Sequence, residues 1–206
     1  SDGSTVDVVA GSNRSDNSIS IFKISADGTL TPIHSRVIQS GLTEVYGFCL
    51  YKEKETGKFF AFVNDKTGAV EQWELSPTND GLIDGTLVRT FSVATKTEGC
   101  VCDDELGFMY LGEEEQGIWK FDASPNADSS RVLIADTSHL HLTADVEGLT
   151  LYFLSDTTGY LIASSQGSNS FAVFTREEPN TFIGSFEIID GEEVDGALVD
   201  VELFVI

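Results

Sequence analysis

Apolar residues in this chain come in short runs broken by turn residues, and one polar–apolar shape returns four times. VDVVAGSNRSDNSISIFKI, FFAFVNDKTGAVEQWEL, GFMYLGEEEQGIWKFDA and GYLIASSQGSNSFAVFTRE share it. Each reads as a strand, a polar turn rich in Asn, Asp, Gly or Ser, and a second strand with an aromatic residue. That is the pattern of a β-hairpin. The turns start at Ser12, Asn64, Glu113 and Ser165, at intervals of 52, 49 and 52. Between the hairpins lie further strand-like runs, RTFSVAT, RVLIADT and FIGSFEIID. The linkers SPTNDG and SPNADSS hold turn residues and read as exposed loops. A complete unit therefore predicts four strands; in the third unit these are EGCVCDD, GFMYLGEE, GIWKFDA and RVLIADT. No helix is required.

Four short antiparallel strands in a unit of about 50 residues describe a blade of a β-propeller. The fold class expected is all-β, as a single domain over 1–206. The first unit starts at its second strand, and a fifth begins with VDGALVDVE. The chain is thus expected to hold three complete blades and parts of two more, an incomplete stretch of a larger ring.

A second repeat runs beside the first. Glu98-Gly99, Glu147-Gly148 and Asp195-Gly196 follow Tyr46-Gly47 at intervals of 52, 49 and 48. These pairs begin the first strand of each unit, and the polar turns end the second. Antiparallel pairing sets the start of one strand beside the end of the next. Tyr46, Glu98, Asp145, Glu147 and Asp195 are therefore expected on one rim with Arg14, Lys66, Glu113, Glu114 and Gln166. The first strand of a blade lines the central channel, so this rim is its mouth. Glycine after each acid lets backbone approach a ligand and leaves a carbonyl available to coordinate. Carboxylates, carbonyls and an amide are the ligands calcium prefers. The absence of His and Cys from the set disfavours zinc. Asp145 and Glu147 lie two apart, so on a strand they would face one side and repel each other unless a cation or proton is shared.

Charge sharpens this picture. The chain carries 34 acidic and 12 basic residues, a net −22. Nucleic acid wants a basic face and is excluded as a partner. A polyanionic ligand would be repelled unless cations intervene. Arg14 and Lys66 are rare positive charges on the same rim and suit a phosphate group. No apolar run is long enough for a membrane-spanning helix. No signal sequence is visible at Ser1, as in a mature secreted chain. Cys49, Cys100 and Cys102 read as small buried hydrophobes, with no disulfide framework or zinc site expected. His34, His139 and His141 show no metal or triad spacing and read as structural or surface residues.

The residues that carry these repeats resemble the β-propeller phytases, the calcium-dependent alkaline phytases of bacteria. The resemblance runs from about Val6 to Gly196. It rests on SNRS, EVYGF, TGKFFAFV, EQWEL, TEG, DDELGFMYLGEEEQGIWKF, HLTADVEGLTLY, GYLIASSQG, SFAVF and IIDGEEVDG. The resemblance implies blades of a six-bladed ring around a calcium-filled channel, about four of them in this chain. It implies calcium ligands at Tyr46, Glu98, Glu114, Asp145, Glu147, Asp195 and Gly196, and substrate contacts from Arg14, Lys66 and Gln166. Of these, it implies Tyr46, Glu98, Glu114, Asp145 and Glu147 as the catalytic set. The family's amino-terminal D-x-D-D-P-A-I-W-type segment has no match here, and ALVDVELFVI replaces the usual Asp-rich continuation after Gly196.

The implied activity is calcium-dependent hydrolysis of phosphate monoesters of phytate, myo-inositol hexakisphosphate, by a secreted bacterial monomer. Calcium would offset the charge of the substrate and activate a water to attack phosphorus in line. The lack of a nucleophile motif agrees with direct attack. Two other readings compete: a calcium-dependent propeller lactonase or esterase, and a non-catalytic calcium-binding propeller.

Overall fold

The computed structural model describes residues 5–138 and 141–188. They form four antiparallel sheets, each a blade of a β-propeller. Blade 1 contains β1 (Asp7–Asn13), β2 (Ser18–Ile24) and an outer strand broken into β3 (Leu30–Pro32) and β4 (Ile38–Gln39). Blade 2 runs β5 (Val45–Lys52), β6 (Phe59–Asp65), β7 (Ala69–Pro77) and β8 (Ile83–Ser92). Blade 3 runs β9 (Thr97–Asp103), β10 (Phe108–Glu113), β11 (Gly117–Asp122) and β12 (Arg131–Asp136). Blade 4 runs β13 (Val146–Phe153), β14 (Gly159–Ser165), β15 (Ser170–Thr175) and β16 (Phe182–Phe186). Among the described residues the one helical element is a 3-10 turn, Gln166–Ser168.

The expected strand plan holds for three complete four-stranded blades, and among the described residues blade 1 has no strand on the inner side of β1. By repeat position β1 matches β6, and among the described residues it pairs with β2 alone. The fifth unit lies outside the described residues.

Three apolar cores fill the three seams between consecutive blades. The second strand of a blade feeds two seams at once, because successive side chains point to opposite faces. On β6, Phe60 and Phe62 enter the core shared with blade 3, while Ala61 and Val63 enter the core shared with blade 1. On β10, Met109 and Leu111 pack toward blade 2 and Tyr110 toward blade 4. This explains why FFAFV and FMYL are continuous apolar runs rather than alternating ones. Burial of each such large side chain contributes about 1.5–3 kcal/mol.

Polar pins cross the same seams. Arg176 of blade 4, fully buried, pairs with Asp103 of blade 3 through Nε–Oδ2 (2.5 Å) and Nη2–Oδ1 (2.6 Å). Its remaining donors reach the carbonyls of Ser155 and Asp156, so the buried charge has a full set of partners.

The cysteine expectation is corrected. Cys49 of β5 and Cys100 of β9 form a disulfide, with Cα atoms 5.7 Å apart. Their separation of 51 residues is one short of the 52 between Tyr46 and Glu98, so the two side chains leave opposite faces of neighbouring inner strands and meet in the core between blades 2 and 3. Cys102 is the free thiol, 3.7 Å from the Cys49 sulfur.

Candidate active site at the channel rim

Each inner strand carries a β-bulge at its X-Gly pair. Val45 pairs with Asp65 and Phe48 with Val63, so Tyr46 and Gly47 together face Asn64. Thr97 pairs with Glu113 and Cys100 with Leu111, so Glu98 and Gly99 face Gly112. Val146 pairs with Ser165 and Leu149 with Ala163, so Glu147 and Gly148 face Ser164. A bulge re-aims the side chain it carries. Here it turns Tyr46, Glu98 and Glu147 into one groove of about 1260 Å³ that runs along the inner strands and also touches Arg14.

The glycines serve the seams. A Cβ on Gly47 would lie 2.0 Å from the Glu98 carbonyl oxygen, and one on Gly99 would lie 2.8 Å from that of Glu147. The strand of one blade thus packs on the backbone of the next site residue. Ser12 Oγ donates to the Tyr46 carbonyl at 2.8 Å, and Asn64 Nδ2 donates to the Glu98 carbonyl at 3.0 Å. The Tyr46 and Glu98 carbonyls therefore already have partners, and side-chain oxygens carry the ligand capacity there.

Two charged groups flank Tyr46. On one side Arg14 and Lys66 each lie 4.7 Å from the centre of its ring. Both also reach Glu44 Oε1, at 3.1 and 3.4 Å, and Arg14 with Lys66 holds the Glu44 carboxyl below its ordinary pKa. On the other side Glu98 is 4% exposed and Glu114 17%. Lys96 Nζ lies 2.5 Å from Glu98 Oε1 and also contacts Glu114 Oε2. Both oxygens are buried, with the Lys96 ammonium as their cationic partner. Burial raises the Glu98 pKa, with Lys96 opposing that shift. Burial also raises the Tyr46 pKa, helped by the charge of Glu98.

Asp145 precedes β13, so the strand alternation expected to align it with Glu147 does not apply. Its carbonyl accepts from Gln166 N at 2.9 Å, and the adjacent Val146 N donates to the Glu114 carbonyl at 3.1 Å. Main-chain bonds thus tether Asp145, Gln166 and Glu114 at one corner of the rim. Glu113, expected on the rim, is fully buried and accepts from Thr95 N, Thr95 Oγ1 and Trp119 Nε1. Asp195 and Gly196 lie outside the described residues. His141 stacks on Phe182 at 3.9 Å, a structural contact.

Sequence reasoning missed Lys96 and Glu44. Their signal is local: each is a charge two residues before a bulge residue, in Lys96-Thr-Glu98 and Glu44-Val-Tyr46. Among the described residues no three His, Cys, Asp or Glu side chains converge on one metal position. The buried carboxylate oxygens of Glu98 and Glu114, held by Lys96, nonetheless have the hard, anionic character that a divalent cation of the calcium class selects.

Comparison with known proteins gives the chain a family. The Phytase family model matches residues 1–202. A 3-phytase of Bacillus subtilis (strain 168) is 43% identical over 199 residues, which is 94% of this chain and 52% of that relative. The chain spans about half the length of this curated relative. With propeller blades, bulged acidic inner strands and this extent of identity, the chain belongs to the Phytase family.

Proposed function

We propose that the protein carrying this chain hydrolyses phosphate monoesters of phytate and requires calcium to do so. The observation that carries the reading is the rim itself. Three bulges turn Tyr46, Glu98 and Glu147 into one groove beside the paired cations Arg14 and Lys66. The similarity to a 3-phytase supplies the substrate class.

Glu98, Glu114, Asp145 and Glu147 are the carboxylates that would hold calcium, with Tyr46 adding an oxygen; Asp195 and Gly196 complete the proposed set. When bound, calcium offsets the charge of the phosphates, stabilises charge in the transition state and acidifies a water ligand. Arg14 and Lys66 grip phosphate over the Tyr46 ring, and Gln166 adds an amide from the 3-10 turn. Glu44 now occupies the space between the two cations as an internal anion, and substrate phosphate takes its place. A secreted setting fits both the Cys49–Cys100 disulfide and the net charge of −22.

The test is phosphate release from phytate by the full-length protein, with calcium and then with a chelator. Glu147→Gln and Asp145→Asn are expected to lose most turnover while circular dichroism stays unchanged. Calcium-independent release, or none, refutes the proposal.

A further inference from the structure

Lys96 contributes one of 12 basic side chains in a chain with 34 acids, and it points at two of them. Its ammonium sits between Glu98 Oε1 and Glu114 Oε2, both buried oxygens. The two carboxylates come from the start of β9 and the turn after β10. The Glu114 N–H donates to the Lys96 carbonyl at 3.0 Å, which fixes that approach. Two buried carboxylates aimed at one point repel each other unless a positive charge lies between them.

We propose that Lys96 is the built-in counter-ion of the Glu98–Glu114 pair and a positioning residue for the metal. It holds the pair in place before loading and exchanges with a divalent cation on loading. The inference rests on the reading that these carboxylates ligate calcium. Geometry supports exchange rather than a permanent bridge. The Lys96 side chain is 36% exposed, whereas Glu98 is 4% exposed, so the lysine is the partner with access to solvent. A lysine ammonium is a point charge on a flexible stem and can leave without backbone movement. A cation bound to the same oxygens would repel it at this range. The Tyr46 ring, already 5.7 Å from the ammonium, offers the next favourable position. There Lys96 joins Arg14 and Lys66 on one aromatic residue. Metal loading therefore adds a third cation to the group that grips phosphate.

The experiment is calorimetric titration of chelator-stripped, full-length protein with calcium chloride alone, for wild type, Lys96→Gln and Lys96→Arg. Thermal midpoints of the stripped and loaded forms are read in parallel. Removing the competitor in Lys96→Gln should tighten calcium binding roughly fivefold, the scale of one partly exposed ion pair. The same variant should lower the stripped midpoint and leave the loaded one nearly unchanged. Lys96→Arg should stay close to wild type. If wild type binds calcium and Lys96→Gln binds it equally or more weakly, the exchange role is refuted while the calcium reading stands. If no variant takes up calcium, both fall.

Discussion

Asn64 joins two blades with a single amide: its Oδ1 accepts from Gly47 N at 3.1 Å and its Nδ2 donates to the Glu98 carbonyl at 3.0 Å. The residue is 1% exposed. One side chain thus holds the bulge of blade 2 and the backbone of the acidic residue of blade 3. The place of Glu98 is set by the blade before its own.

Gly47→Ala should break this arrangement. The new methyl would sit 2.0 Å from the Glu98 carbonyl and 2.5 Å from Asn64 Nδ2, and both residues are buried. Overpacking of this kind costs about 1–3 kcal/mol. Urea unfolding should show the loss as a lower midpoint with an unchanged slope, and calcium affinity should fall with it. A wild-type midpoint would mean that the seam relaxes without cost.

The disulfide closes a loop with a separation of 51 residues. Replacing both Cys49 and Cys100 by Ser should cost about 2–4 kcal/mol, mainly by freeing the unfolded chain. Cys49 must be among the replaced residues, because Cys102 lies 3.7 Å from its sulfur and could substitute for Cys100. Reductant should lower the unfolding midpoint of wild type and leave the double variant unmoved. Equal midpoints for wild type with and without reductant would contradict a stabilising bridge.

Tyr110 is fully buried, and burial pushes its hydroxyl from 10.0 up to about 12, against a smaller opposing effect from Asn180. Its proton is therefore held more tightly in the folded chain than in the unfolded one. The associated stability is complete below pH 10 and lost as pH rises toward about 12. The loss approaches about 3 kcal/mol, because each tenfold change in proton affinity is worth about 1.4 kcal/mol. Tyr110→Phe should flatten this decline, so the gap between wild type and variant measured at pH 8 should shift toward the variant at pH 11. Parallel pH profiles would place the alkaline instability elsewhere.

Calcium should raise the thermal midpoint with the logarithm of its free concentration above Kd. At a free concentration of about 100 times Kd, one site adds about 2.7 kcal/mol. A chelator should reverse the gain completely. Identical scans with and without chelator would exclude calcium held by the folded chain.

The blade plan is legible in the sequence because polar turns punctuate it at a near-constant interval and blades 2 and 3 bury their second strands on both faces. FFAFV and FMYL announce that double burial directly. The acidic rim is legible for the same reason: Glu98 and Glu147 repeat in phase with the turns. What the repeat conceals is register. Nothing in Glu-Gly reveals that the pair is a bulge, or that its glycine is pressed against a neighbouring carbonyl. Cys49 and Cys100 look like core residues until the blades are laid side by side. Lys96 and Glu44 look like ordinary surface charges until the bulges bring them opposite Glu98, Glu114, Arg14 and Lys66. Each of these depends on contact across a seam, which local pattern does not encode.

The bulges also govern how such a chain can tolerate insertions. Strand side chains alternate faces, so a one-residue insertion between Gly47 and the seam core, or between Gly99 and Cys100, would send every later side chain to the wrong side. The broken outer strand of blade 1 shows the opposite freedom, since β3 and β4 are separated by five residues without disturbing β2. Length can therefore drift at the periphery, while the inner strands accept substitution only. Variants with altered chemistry are best sought by exchanging Tyr46, Glu98 or Glu147 in place, never by lengthening the strands that carry them.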